Sequence, residues 1–196
     1  MDCRTSDQFS GVTSEERLPE IKTMARHAPP FDEVYLRDFA YVWRTLRRLG
    51  VPEKDVEDLT HDVFVVVSRR LRDYDVSRPL RPWLFGICFR LASQDRRRSR
   101  NRVELAIENV EAPDLGPNAI ELLEAHQRRQ LVLDCLQMLD LDQRAAVILV
   151  DIDGESPAEV AAALGTPLPT IYSRLRLGRR RFATAVRRLT LRRGEP

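Results

Sequence analysis

Apolar residues recur at steps of three and four through Phe31, Tyr35, Phe39, Val42, Leu46 and Leu49, and the pattern stops at Gly50. Such spacing lines one face of a helix, and a glycine just past the last periodic position ends it. After "VPEKD" a second stripe runs through Val56, Leu59, Val63, Val66, Val67 and Leu71 until "YDVSRP" breaks it. A third helix begins near Pro82, carries Trp83, Leu84, Ile87, Leu91 and Ala92, and dissolves into "DRRRSRNR". These stripes predict a three-helix packing unit over 31–103. From Glu104 to Glu124 the acids Glu104, Glu108, Glu111, Asp114, Glu121 and Glu124 occur without a base, and "APDLGPN" interrupts the periodicity. A flexible interdomain linker is expected there, over 104–117. Periodicity resumes near Ile120 and continues through Leu123, Leu131, Cys135, Leu136 and Leu139, followed by a short helix "DQRAAVILV". No alternating strand pattern is present, so the chain is expected to be all-α: two small helical domains, the second over 118–193.

The second domain carries the sharpest local signals, in "GESPAEVAAALGTPLPTIYSRLRLGRRR". Ser156, Pro157 and Glu159 form a capping-box start, and Gly165 stops the helix. Thr166 can cap the next helix, and Pro167 and Pro169 fall where the first-turn amides have no intrahelical partner. At 100° per residue, Ile171, Leu175, Phe182, Val186 and Leu189 gather on one side, opposite Thr170, Ser173, Arg174, Leu177 and Arg181. Tyr172 and Arg176 flank that second side. A short capped helix, a tight turn and a longer helix with arginine near its start are what a helix-turn-helix needs to enter a major groove. From Thr170 to Arg193 there are nine arginines and no acid.

Composition narrows the class. Hydrophobic content of 43% with 32% charged residues suits a soluble globular protein, and no run approaches the roughly 20 apolar residues of a membrane helix. Residues 1–30 are polar and lack the apolar core of a secretory signal, so they read as a disordered tail of a cytoplasmic protein. Met24, just before the first periodic segment, is an alternative start. Cys3, Cys88 and Cys135 form no CxxC, and His27, His61 and His126 have no ligand at helical spacing, so no metal or other cofactor is expected. Net charge is only +2, yet just two of the 32 basic residues are lysine, Lys22 and Lys54. The planar guanidinium fork of arginine suits phosphate and guanine, although a GC-rich genome raises the arginine total for unrelated reasons.

Three motifs in order carry a resemblance: "DVEDLTHDVFVVVSRRL", "RPWLFGICFRLASQDRRR" and "LDLDQRAAVILVDIDGESPAEVAAALGTPLPTIYSRLRLGRRR". Together they resemble regions 2 and 4 of extracytoplasmic function, or group 4, sigma factors of the sigma-70 family. The likeness implies a non-enzymatic protein whose partners are core RNA polymerase, through its β′ clamp helices and β flap, and promoter DNA. An anti-sigma factor is an optional further partner. It implies polymerase contacts at Asp58, His61, Asp62, Val65 and Arg69, with His61 standing where the family more often has Gln. It implies minus-10 contacts at Trp83, Phe85, Phe89, Arg90, Arg96, Arg97 and Arg98, and minus-35 contacts at Thr170, Tyr172, Ser173, Arg174 and Arg176. Leu177, Gly178 and Arg179 replace a common "RAR", so a phosphate contact is expected to be missing and Gly178 to cost the helix up to about 1 kcal/mol relative to Ala.

Residue chemistry fits those assignments. Aromatic faces beside cations can receive splayed bases at roughly 1 to 3 kcal/mol each, and "WLFGICF" beside "RRRSRNR" offers both. Trp83 also sits at helical spacing with Leu84 and Ile87, where an aromatic more often belongs to the core, and Arg96 to Arg98 also read as a solvated helix end. Val65 falls nearly opposite the apolar stripe of its helix, among Asp58, His61, Asp62 and Arg69. Two rival readings use the same helix-turn-helix. One is a repressor or activator with a ligand or dimer domain; the other is a recombinase, which would need a sheet-containing catalytic domain.

Overall fold

The computed structural model describes residues 28–100 and 119–193. Among the described residues the chain forms α1 Phe31–Leu49, α2 Glu53–Arg70, α3 Leu80–Arg100, α4 Ala119–Gln137, α5 Leu141–Val147, α6 Pro157–Leu164 and α7 Leu168–Arg193, with no strand. A 3-10 turn, Leu71–Asp73, closes α2, and a π-helical segment, Ile148–Ile152, extends α5. Met24, the linker 104–117 and all of the tail before residue 28 lie outside the described residues.

The helix α1 occupies the centre. It ends where its glycine predicts, with Gly50 at φ 95° and its N–H bonded to the carbonyls of Arg47 and Leu46. Val42, Leu46 and Leu49 of the expected stripe are buried, and so is a second strip, Val34, Asp38, Tyr41 and Thr45. The second strip lies directly beside the first, and α2, α3, α4 and α5 all pack on α1. The buried face of α1 is therefore one arc, wider than the apolar stripe because it includes the polar Asp38 and Thr45.

Enclosure goes further in α3. Leu84, Phe85, Gly86, Ile87 and Cys88 are all buried, because α1, α2 and α6 pack around them. A Cβ at Gly86 would lie 2.7 Å from the carbonyl oxygen of Ala163 in α6, so this close approach requires glycine. Rather than dissolving into "DRRRSRNR", α3 runs on to Arg100.

The two halves share one core. Its buried cluster takes Val42, Leu46, Val63 and Ile87 from the first half and Leu136, Ile148, Val160 and Ile171 from the second. At the seam the buried Arg144 of α5 donates to the carbonyls of Leu49 at the end of α1, and of Gln137 and Leu139 at the end of α4. A Cβ at Gly50 would run into that guanidinium.

In the second half the capping box is complete: Glu159 donates its N–H to Ser156 Oγ at 3.3 Å, and Ser156 donates its N–H to Glu159 Oε2 at 3.0 Å. The helix α6 ends on Gly165 at φ 61°. Gly178 is buried in α7 against α5, where a Cβ would meet Val147 Cγ2 at 2.8 Å and the Gln143 carbonyl at 3.2 Å. The glycine is therefore a packing requirement, and the helix-propensity reading is corrected by tertiary contact. Gly178→Ala should lower stability by about 1 to 3 kcal/mol despite the better helix former. A denaturant titration checks this, and a raised unfolding midpoint would contradict it.

Candidate polymerase and nucleic-acid interfaces

The helix α2 is two-sided. Val56, Thr60, Val63, Phe64 and Val67 are buried, while Asp58, His61, Asp62 and Arg69 are exposed on the other side. Val65 stands among those four, 46% exposed, as an apolar residue with charged neighbours. All five expected polymerase-contact positions thus share one free face.

The expected minus-10 positions on α3 divide. Arg96, Arg97 and Arg98 are exposed at the C-terminal end. Arg90 is exposed too, yet burial and then the positive charge of Arg70 press its guanidinium below its ordinary pKa. Trp83 is half-buried, its ring 5.2 Å from that of Tyr74 and tilted by 50°, and Phe89 is also half-buried. Phe85 corrects the expectation: it is 0% exposed, because its stretch is surrounded by helices, and it serves the core rather than a surface platform.

At the start of α7, Thr170, Ser173 and Arg176 are exposed and Tyr172 is 56% exposed. Ile171 and Leu175 are buried behind them. Ser173 Oγ donates to the Pro169 carbonyl at 3.1 Å, turning back onto its own helix. With α6 held by its capping box and Gly165 making the turn, this is a helix-turn-helix presenting the first turns of its second helix.

Comparison with known proteins gives the family. Sigma-70 region 2 matches residues 35–103, and sigma-70 region 4 matches residues 129–182. The RNA polymerase sigma factor NccH of Alcaligenes xylosoxydans xylosoxydans is 32% identical over 149 residues, covering 74% of this chain and 80% of NccH. The chain belongs to the extracytoplasmic function sigma factors of the sigma-70 family. The ECF RNA polymerase sigma factor SigE of Mycolicibacterium smegmatis is 33% identical over 156 residues, 79% of this chain, and that match spans 60% of SigE. Among solved structures, the sigma factor RpoE in complex with the anti-sigma factor NepR from Bartonella quintana superposes with a TM-score of 0.63 at 26% identity, covering 80% of this chain and 96% of RpoE. CnrH in complex with the cytosolic domain of CnrY gives 0.54 at 28% identity, covering 79% and 85%.

As a sigma factor the protein directs transcription initiation, which sets aside the repressor and recombinase readings. Sigma factors are non-catalytic initiation factors. No helix among the described residues is long and apolar enough to cross a membrane, and no three of their His, Cys, Asp and Glu side chains converge as metal ligands would.

One feature of region 4 has no local sequence signal. The arginines of α7 have no acid on their own helix, yet α5 and its flanks supply three. Arg174 donates to Asp142 Oδ2 at 2.7 Å and to Thr166 Oγ1 at 3.2 Å, Arg179 grips Asp151 with two nitrogens, and Arg181 pairs with Asp140. The Asp151 carboxylate raises the already high pKa of Arg179. Leu177 is half-buried.

Arg174 is thus tied to the first turn of α5 and to the turn before α7, whereas Arg176 is exposed. If Arg174 acts through that tether, Asp142→Ala and Arg174→Ala should weaken minus-35 duplex binding similarly, and the double variant should be no worse than either. A base-reading Arg174 would instead lose about 1 to 3 kcal/mol at one base pair, with Asp142→Ala leaving that preference intact. Binding each variant to a saturated minus-35 library separates the two outcomes.

Proposed function

We propose that the protein works as a two-part promoter reader in the cytoplasm, bringing core RNA polymerase to DNA without a catalytic centre of its own. In this reading region 2, over 31–103, holds the β′ clamp helices with the free face of α2. Its α3, with Trp83 near the start, Phe89 and Arg90 in the middle and Arg96 to Arg98 at the C-terminal end, takes the opened minus-10 strand. Region 4, over 118–193, faces the β flap and reads minus-35 DNA with Thr170, Tyr172, Ser173 and Arg176. An anti-sigma factor is a further partner, as it is for RpoE in its solved complex with NepR.

The observation that carries this reading is the α2 face. Five positions scattered over twelve residues of sequence lie together in the open, with Val65 at their middle and the core behind them. An apolar centre ringed by polar groups is how a protein interface excludes water while keeping its rim wet. The arginine ends of α3 and α7 supply the charge that phosphate binding needs.

Run-off transcription on genomic fragments, with core polymerase alone and with the protein added, should show initiation only in the second case. Footprinting of duplex DNA by the protein alone, without initiation, would overturn the reading. In a pull-down, Val65→Asp should lower capture of core polymerase by about tenfold or more, because it buries a charge at the centre of the contact. Its circular dichroism melt should match wild type, since the side chain points away from the core. Wild-type capture would remove this face from the polymerase interface.

A further inference from the structure

The nine arginines from Thr170 to Arg193 are not equally answered by acids. Arg174, Arg179 and Arg181 each have a carboxylate from α5 or its flanks. Arg180 and Arg188 have no acid within ion-pair distance among the described residues. Both line one cleft of about 330 Å³, together with Arg181, Thr184 and Ala185 of α7 and Met138 just past the end of α4.

Helix spacing makes the cleft. Arg180, Thr184 and Arg188 follow at steps of four, so they share one side of α7, and all three are exposed. The two arginines stand about 12 Å apart along the axis, at ~1.5 Å per residue, with the small Thr184 and Ala185 between them. Thr184 Oγ donates to the Arg180 carbonyl at 3.0 Å, so the hydroxyl turns onto its own helix and the floor stays low. Arg181 forms a wall whose charge is taken by Asp140, and it also donates to Gln143 Oε1 at 3.1 Å. Two unpaired guanidinium forks thus flank a short gap, a spacing that suits linked anionic groups rather than a single one.

The guanidinium fork matches a phosphate with two parallel hydrogen bonds. The cleft lies at the lower end of the ~300 to 1,000 Å³ of small-ligand sites, a scale that admits a short chain of phosphates. No aromatic ring among the described residues lines it, so it offers a nucleobase no stacking platform. We propose that this cleft is a binding site for consecutive phosphate groups of one chain, held between Arg180 and Arg188 and recognised by the phosphates alone. The site is separate from the base-reading start of α7. Arg180 lies ten residues beyond Thr170, about 15 Å along the helix, which exceeds the ~12 Å width of a major groove. Two sources carry this chemistry: a free polyphosphate chain, and the DNA backbone beside the minus-35 element.

Calorimetric titration of inorganic triphosphate into the full-length chain, with no DNA present, tests the site. Arg180→Gln and Arg188→Gln should each weaken binding by about tenfold or more, as expected for losing charge-assisted hydrogen bonds. Arg187→Gln removes the same charge from an exposed neighbour outside the cleft, and should change binding by about twofold or less. Thr184→Glu sets a carboxylate between the two forks and should abolish binding while its circular dichroism melt matches wild type. ATP should bind within about threefold of triphosphate, because no ring receives its base. Equal losses in Arg187→Gln and Arg188→Gln, or wild-type affinity in both cleft variants, would overturn the site. Much tighter binding of ATP would overturn recognition by phosphates alone. A duplex selected from the minus-35 library, extended by about one helical turn on each side, then separates the two sources. If the DNA backbone fills the cleft, Arg188→Gln should lower the salt slope of duplex binding by about one, and triphosphate should compete with that duplex. An unchanged slope, with triphosphate binding lost, assigns the cleft to a free phosphate chain. The calorimetry uses no promoter, so a failure of run-off transcription is a separate result.

Discussion

The guanidinium of Arg144 sits where two helices end, α1 and α4, and faces carbonyls rather than a carboxylate. Helix C-termini leave carbonyls without intrahelical partners and carry partial negative charge, so one buried cation can satisfy several of them at once. Desolvation pushes its pKa down to about 10, with the nearby Arg96 charge acting in the same direction, so it stays protonated at neutral pH. Removing it would leave the Leu49, Gln137 and Leu139 carbonyls buried without that donor. The end of α1 in region 2 and the α4–α5 corner of region 4 are thereby held by the same side chain.

That constraint explains why the two regions, separate in sequence, pack as they do. With α4 and α5 fixed against α1, Tyr41 and Arg48 come within reach of Asp153, and α6 comes down on Gly86. The burial that follows raises the Tyr41 pKa, with the Asp153 charge adding to it, and it raises the Asp153 pKa against the opposing pull of Tyr41 and Arg48. The same packing encloses the apolar middle of α3 and leaves its arginine end outside. Surface and core on α3 are thus divided by tertiary contact rather than by residue type, and the free face of α2 is what remains uncovered.

Much of this was legible in the sequence because it is local. Gly50 as the stop of α1, the Ser156 and Glu159 capping box, Gly165 at the turn and the exposed Val65 all follow from spacing and backbone chemistry that a few neighbouring residues decide. The motifs of regions 2 and 4 likewise pointed to the sigma factor family. What escaped reading depends on residues far apart in the chain. The second buried strip of α1 hides because it contains the polar Asp38 and Thr45, which read as solvent-facing until their neighbours are placed. Phe85 looks like a platform residue until α1, α2 and α6 are placed around it. Gly178 looks like a helix fault until α5 is against it, and the acids Asp140, Asp142 and Asp151 give no sign that they answer arginines some thirty residues later.

Hydrogen exchange of the full-length chain, wild type against Arg144→Met, tests the shared seam most directly. Protected amides report the stability of the unit to which they belong, so a seam joining both regions must transmit the loss of Arg144 to both. The account predicts faster exchange at the end of α1, around Leu46 to Val51, as well as along α4 and α5. A loss of protection confined to the second half, with the end of α1 exchanging as in wild type, would contradict it.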